Sequence, residues 1–126
     1  MDNTTLDENK TEQETLQKTR VEKKVKPGGR MRNLQRLCHQ IATEKGFWEK
    51  DRNNGELIAL IHSELSEALE ELRRLDVDWK HVGEEMADAV IRILDFCEAR
   101  EIDLETAVWE KMDINKRREY KHGKQF

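Results

Sequence analysis

From Met31 to Tyr120 apolar residues recur at helical spacing, and no proline interrupts them, since the single proline of the chain is Pro27. Leu34, Leu37, Cys38, Ile41 and Ala42 follow the i, i+3, i+4, i+7, i+8 pattern of one helical stripe. They predict a first helix over about Met31–Lys45, stopped by Gly46. A second helix is expected over about Gly55–Leu75, with Asn54 as N-cap and Leu57, Ile61, Leu65, Ala68 and Leu72 as its core stripe. Asp78 is placed to cap a third helix, about Trp79–Arg100, whose apolar face reads Val82, Met86, Val90, Ile93, Leu94 and Cys97. Asp103 is placed to cap a fourth, about Leu104–Tyr120. Period-2 alternation of useful length is absent. Four helices with short connections predict an all-α, antiparallel four-helix bundle.

The sequence also suggests that one copy cannot finish such a bundle. Of 126 residues, 36% are apolar and 40% charged. A chain this polar forms a thin bundle or completes its core with a second subunit. One domain is expected, the helical residues 30–126, preceded by residues 1–29 as a disordered or frayed N-terminal tail. The tail is rich in Thr, Glu, Gln, Asn and Lys and ends at Pro27-Gly28-Gly29. Cys38 and Cys97 lie far apart in apolar helical contexts, with no CxxC, and read as reduced core residues. No apolar run approaches membrane-span length and the N-terminus is polar, so a cytoplasmic protein without a membrane partner is expected.

Charge is segregated along the chain. Arg20 to Arg36 holds seven basic residues and one acidic. Glu56 to Glu105 holds fifteen acidic and five basic, and Thr106 to Phe126 six basic and three acidic. Solvated helix faces would produce such runs. So would an acidic middle that holds metal and a basic end that holds phosphate.

Within the acidic stretch the second helix carries Glu64-x-x-Glu67 and the third carries Glu85-x-x-Asp88. Residues three apart share a helix face on successive turns. Two such pairs on neighbouring helices could bring four carboxylates together, a hard-oxygen set suited to Mg²⁺, with Mn²⁺ as an alternative. On helical wheels Glu64 and Glu67 border the apolar stripe of their helix. Glu85 and Asp88 instead lie nearly opposite Val90, on a face shared with Arg92 and Asp95. That face should meet water in a lone copy, so convergence is expected only if the third helix is covered on both sides. A di-iron bundle site would need ExxH on two helices, and no histidine completes that motif.

Lys111, Asn115 and Arg118 follow at spacings of four and three, one stripe of two cations and an amide that suits a polyphosphate. Cations also gather at helix C-termini because the macrodipole favours them. Trp48, beside Phe47, could stack on a base or simply pack in the core. No nucleophilic triad is present, which leaves attack by metal-activated water as the natural hydrolytic route.

Together these residues resemble the MazG-type all-α nucleoside triphosphate pyrophosphohydrolases. The resemblance runs from about Leu34 to Phe126. It rests on the ExxE pair, seventeen intervening residues and the ExxD pair, on Lys45-Gly46-Phe47-Trp48 after the first helix, and on the Lys111, Asn115, Arg118 stripe before Lys121-His122-Gly123-Lys124. It implies Mg²⁺ bound by Glu64, Glu67, Glu85 and Asp88, with Glu64 or Glu67 handling the attacking water. It further implies a nucleoside triphosphate cleaved between the α and β phosphates, phosphate contacts from Lys111, Asn115 and Arg118, and assembly into homodimers or tetramers.

Two other classes compete. One is a nonenzymatic helical oligomerisation or interaction module, whose acidic stripes would give solubility and partner choice. The other is a nucleic-acid binder using Arg20 to Arg36, against which stand the net charge of −4 and the lack of interleaved aromatics in that stretch.

Overall fold

A computed structural model describes residues 29–126. The expected tail, residues 1–29, lies outside the described residues apart from its last glycine. Among the described residues the chain forms four α-helices and no strand: α1 (Arg30–Glu44), α2 (Asn54–Leu72), α3 (Trp79–Ala99) and α4 (Leu104–Arg117), followed by a 3₁₀ turn, Tyr120–Gly123. No described helix is long and apolar enough to cross a membrane.

Short-range chemistry sets the ends of these helices. Asn53, one residue before the expected cap, accepts the N–H of Glu56 at 3.1 Å. Asp78 accepts from Lys80 and His81, and Asp103 from Thr106. Each satisfies donors that a helix start leaves open. Helix α1 ends in a Schellman turn: Gly46 takes φ 88°, its N–H reaches the Thr43 carbonyl, and the Phe47 N–H reaches Ala42. The end of α3 repeats this pattern with a side chain in the strained position. Glu101 has φ 56°, and the Ile102 N–H donates to the Cys97 carbonyl at 2.8 Å. Helix α2 stops at Leu72, not Leu75, where the Glu71 carboxylate accepts the Asp78 N–H at 2.9 Å and draws the loop back on itself. Helix α4 stops at Arg117, with Lys121 and His122 in left-handed conformations just beyond.

Helix α2 packs along α3, α3 along α1, and α4 meets chiefly α1. Side-chain pairs give the directions. Asn54 meets Arg100 and Glu64 meets Arg92, while the Glu71 carboxylate takes the backbone N–H of Asp78. Numbers on α2 rise as those on α3 fall, so the two helices run antiparallel. Gln35 with Glu98 and His39 with Asp95 show the same for α1 and α3. Arg32 binds Asp103 and anchors the start of α4 to the start of α1.

The seams differ from the expected stripes. On α2 the buried residues are Leu57, Ile61, Glu64, Ala68 and Glu71. Leu65 and Leu72, expected in the core, are 45% and 39% exposed. On α3 Val82, Leu94 and Cys97 are buried as expected, but Met86 and Val90 are exposed, and Glu85, Ala89 and Asp95 are buried. On α1 Leu34, Leu37 and Ile41 are exposed while Gln35 and Cys38 are buried. Ala68 and Ala89 keep the seam slim enough for close helix approach. The internal seam is therefore partly polar, and one edge of each apolar stripe, with Leu65, Leu72, Met86, Val90 and Ile41, faces outward.

Candidate metal centre and adjoining cavity

Three carboxylates meet in the seam between α2 and α3. One oxygen from each of Glu64, Glu67 and Glu85 lies within 4.8 Å of the others. The ExxE spacing puts Glu64 and Glu67 on successive turns of α2, and Glu85 faces them from the antiparallel α3. The expectation that Glu85 faces water in a lone copy is corrected here. The buried face of α3 includes Val82, Glu85 and Ala89, so Glu85 points into the chain's own seam. Glu64 and Glu85 are buried and Glu67 is exposed, giving the cluster one open side.

The electrostatics of the cluster are strained without a cation. Glu85 Oε2 is buried and has no hydrogen-bond partner, although buried polar atoms nearly always find one. The adjacent Glu67 carboxyl, by hydrogen bonding, holds Glu85 above the usual carboxylate range; burial and the charge on Glu67 add to this. His81 works in the opposite sense, its Nε2 standing 3.3 Å from Glu85 Oε1. His81 itself is raised, first by its hydrogen bond to Glu84. At Glu64, Oε1 accepts the Nε–H of Arg92 at 2.7 Å. Hard oxygen donors on three helical turns, one of them orphaned, fit a divalent cation such as Mg²⁺ or Mn²⁺.

Asp88, the fourth expected ligand, is outside this trio. It lines a cavity of about 380 Å³ with Glu64, Arg92 and Asp95 of the seam, and Lys45, Phe47 and Arg52 near the end of α1. Glu67 and Glu85 line a separate groove with Glu71, Arg74 and His81. The acid cluster thus sits between two openings, with Glu64 on the cavity side.

Trp48 forms part of the scaffold beside that cavity. Its indole N–H donates to both oxygens of Asp95, at 3.0 and 3.2 Å. His39 Nδ1 lies 2.8 Å from the same carboxylate, and the His39 and Trp48 rings meet edge to face at 5.3 Å. The guanidinium groups of Arg52 and Arg100 stand 5.3 and 5.7 Å from the Trp48 ring centre. Arg100 also binds the Asn54 side chain and the Arg52 carbonyl, both at 2.7 Å, fastening the 45–53 loop to α3. Phe47, 60% exposed, lies on the cavity rim. Cys38 and Cys97 are buried free thiols, and desolvation raises both, so neither is primed as a nucleophile.

Lys111 and Asn115 lie on α4 and Arg118 is its C-cap. Because α4 meets chiefly α1, the single chain does not bring this stripe onto the α2–α3 seam. Helix α4 buries none of its residues, yet the Asn115 Oδ1 atom is enclosed without a partner.

Asp95, His39, Arg92 and His81 were not singled out as site residues from sequence. Asp95 and Arg92 share a wheel face with Glu85 and Asp88, and that shared face was the available signal. With Val90 as the centre of the apolar face, that shared face points to solvent, whereas in the fold Glu85 and Asp95 are buried and Val90 is exposed. Neither the protein-family models nor the curated proteins give a match to this chain.

Proposed function

We propose that this protein is a Mg²⁺-dependent nucleoside triphosphate pyrophosphohydrolase of MazG type, releasing nucleoside monophosphate and pyrophosphate. The observation that carries the reading is the meeting of Glu64, Glu67 and Glu85, two of them buried, with one buried Glu85 oxygen left without a hydrogen bond. These three would hold the metal, with Asp88 reached from the cavity side. Bound metal would supply charge neutralisation of the phosphates and a more acidic water.

The remaining work falls to the chain itself. The cavity is of the size small-molecule sites take. Lys45, Arg52 and Arg92 share its wall with Glu64, Asp88 and Asp95, cations and carboxylates together, a combination that suits a phosphate ester arriving with a dication. Glu67, the exposed member of the trio, has access to water and can accept its proton. Trp48, clamped by Asp95, His39 and Arg52, keeps the cavity wall rigid. A base that enters would meet Phe47 at the rim.

The reading includes a homo-oligomer, dimer or tetramer, that completes the four-helix bundle. Leu65, Leu69, Met86, Val90, Leu34 and Ile41 stand exposed on three helices while the polar seam is buried. Exposed apolar surface of this extent marks an interaction face. Neighbouring subunits would also offer a route for Lys111, Asn115 and Arg118 to reach a phosphate chain. A nonenzymatic oligomerisation module shares the apolar stripes, but it gives no reason to bring three carboxylates together with two of them buried. The test is turnover of a nucleotide panel with Mg²⁺, in the wild type and in Glu67→Gln. Metal-dependent release of monophosphate that Glu67→Gln abolishes, with helicity unchanged, supports the reading. Equal turnover in the variant, or none in either protein, counts against it.

A further inference from the structure

Arg92 stands where the metal centre and the cavity meet. Its Nε donates to Glu64 Oε1 at 2.7 Å, and the two side chains are 37% and 10% exposed. Glu64 is at once a member of the acid trio and part of the cavity wall. A buried carboxylate needs a counter-charge, and Arg92 provides it. Glu85, the member from α3, has one buried oxygen, Oε2, that makes no hydrogen bond, and its other oxygen faces His81. Within the cluster Glu64 thus has a permanent cation beside it, while Glu85 has only the half-exposed His81 imidazole at 3.3 Å.

We propose that Arg92 is a placeholder cation, which neutralises Glu64 in the metal-free protein and yields it to the metal, freeing the guanidinium for an anion in the cavity. The proposal rests on the metal-centre reading above and adds a residue to it. Two positive groups on one carboxylate repel, so Arg92 would give up Glu64 to a dication that three carboxylates hold. The exchange is local. Arg92 already lies on the cavity wall and over a third of its side chain meets solvent, so its head group turns into the cavity without unpacking the seam. There it would join Lys45 and Arg52, and the cavity would hold phosphate oxygens more tightly with the metal bound.

Direct binding separates this proposal from the enzymatic reading. In ¹⁵N spectra of the full chain, the Arg92 Nε–H, identified by its loss in Arg92→Gln, should be shifted and protected without metal. Saturating Mg²⁺ should move it to the position of a solvated arginine. Inorganic phosphate should then shift it further, and only when Mg²⁺ is present. Mn²⁺ binding followed by electron paramagnetic resonance, without nucleotide, should be tighter in Arg92→Gln by on the order of ten-fold, the effect of losing one charge-assisted contact. Circular dichroism checks that the variant keeps its helices. If it does not, the wild-type Mg²⁺ titration alone decides. An Nε–H signal that stays put while Mg²⁺ binds would make Arg92 a permanent outer partner of the ligand and overturn the proposal. So would unchanged or weaker Mn²⁺ binding in the folded variant, or a phosphate response without Mg²⁺. No Mn²⁺ bound by either protein would remove the metal centre itself, and the proposal with it.

Discussion

Glu67 and Glu85 face each other across the seam between α2 and α3, their carboxyl oxygens within 4.8 Å, and the contact holds Glu85 above the usual carboxylate range. Folded protein therefore keeps a proton on Glu85 that the unfolded chain releases at about pH 4.3. The linkage has one sign: stability from this pair is fully present below the unfolded value and is lost as pH rises through the raised folded value. Metal-free protein should lose stability on that rise, and Mg²⁺ should oppose the loss because it competes with the same proton. Thermal melts from pH 4 to 8, with chelator or with Mg²⁺, check both. Glu85→Gln should flatten the pH dependence and remove the Mg²⁺ effect.

Asp103 should matter at both ends of its contact. It caps α4 through the Thr106 N–H and binds Arg32 of α1. The Thr106 backbone and hydroxyl donors, with Arg32, hold its carboxyl below the usual range. Its contribution is present above the unfolded pKa and is lost as pH falls through the depressed folded value. Asp103→Ala should lower the melting temperature by several degrees at neutral pH and abolish that acid-side step. A variant that melts like the wild type at pH 7 would show that α4 docks without this residue.

Glu101 offers a change in the other direction. It occupies the left-handed position of the α3 C-terminal turn at φ 56°. An L side chain there costs about 1–2 kcal/mol, while glycine costs about 0.5–1 kcal/mol in unfolded-state entropy. Glu101→Gly should stabilise the chain by about 0.5 kcal/mol, read as a small rise in the urea midpoint. A lower midpoint would mean that Glu101 makes a compensating contact.

The exposed apolar stripes make a prediction about assembly. Leu65 and Val90 are 45% and 49% exposed, on α2 and α3. Leu65→Glu with Val90→Glu should shift sedimentation toward the monomer while helicity persists, since neither side chain fills the internal seam. Wild-type protein sedimenting as a monomer at micromolar concentration would contradict the oligomeric reading.

Helix positions were legible because capping and stop signals are local. Asp78 and Asp103 cap where the sequence places them, and Gly46 ends α1. The faces were less legible. A wheel centred on Leu65, Leu72, Met86 and Val90 identifies an apolar stripe but not what covers it. In α2 the intramolecular seam keeps Leu57, Ile61 and Ala68 but takes Glu64 and Glu71 in place of Leu65 and Leu72, a turn of the face by about 40°. Periodicity cannot distinguish a stripe buried inside the chain from one turned outward. The spacing that flagged Glu64, Glu67 and Glu85 did not depend on that choice, and these three do come together. Asp88 and Arg92 required the antiparallel register of α2 and α3. The Asp95, His39 and Trp48 triangle required three separate elements to meet, which no local pattern encodes.

Hydrolysis in ¹⁸O-labelled water with Mg²⁺ tests the central claim most directly. Attack at the α phosphorus places the label in the nucleoside monophosphate and leaves pyrophosphate, whose growing negative charge Lys111, Asn115 and Arg118 would stabilise from a neighbouring subunit. Mass spectrometry should find the label in the monophosphate, with no diphosphate accumulating. Label in orthophosphate alongside nucleoside diphosphate would make the protein a γ-phosphatase and contradict the account.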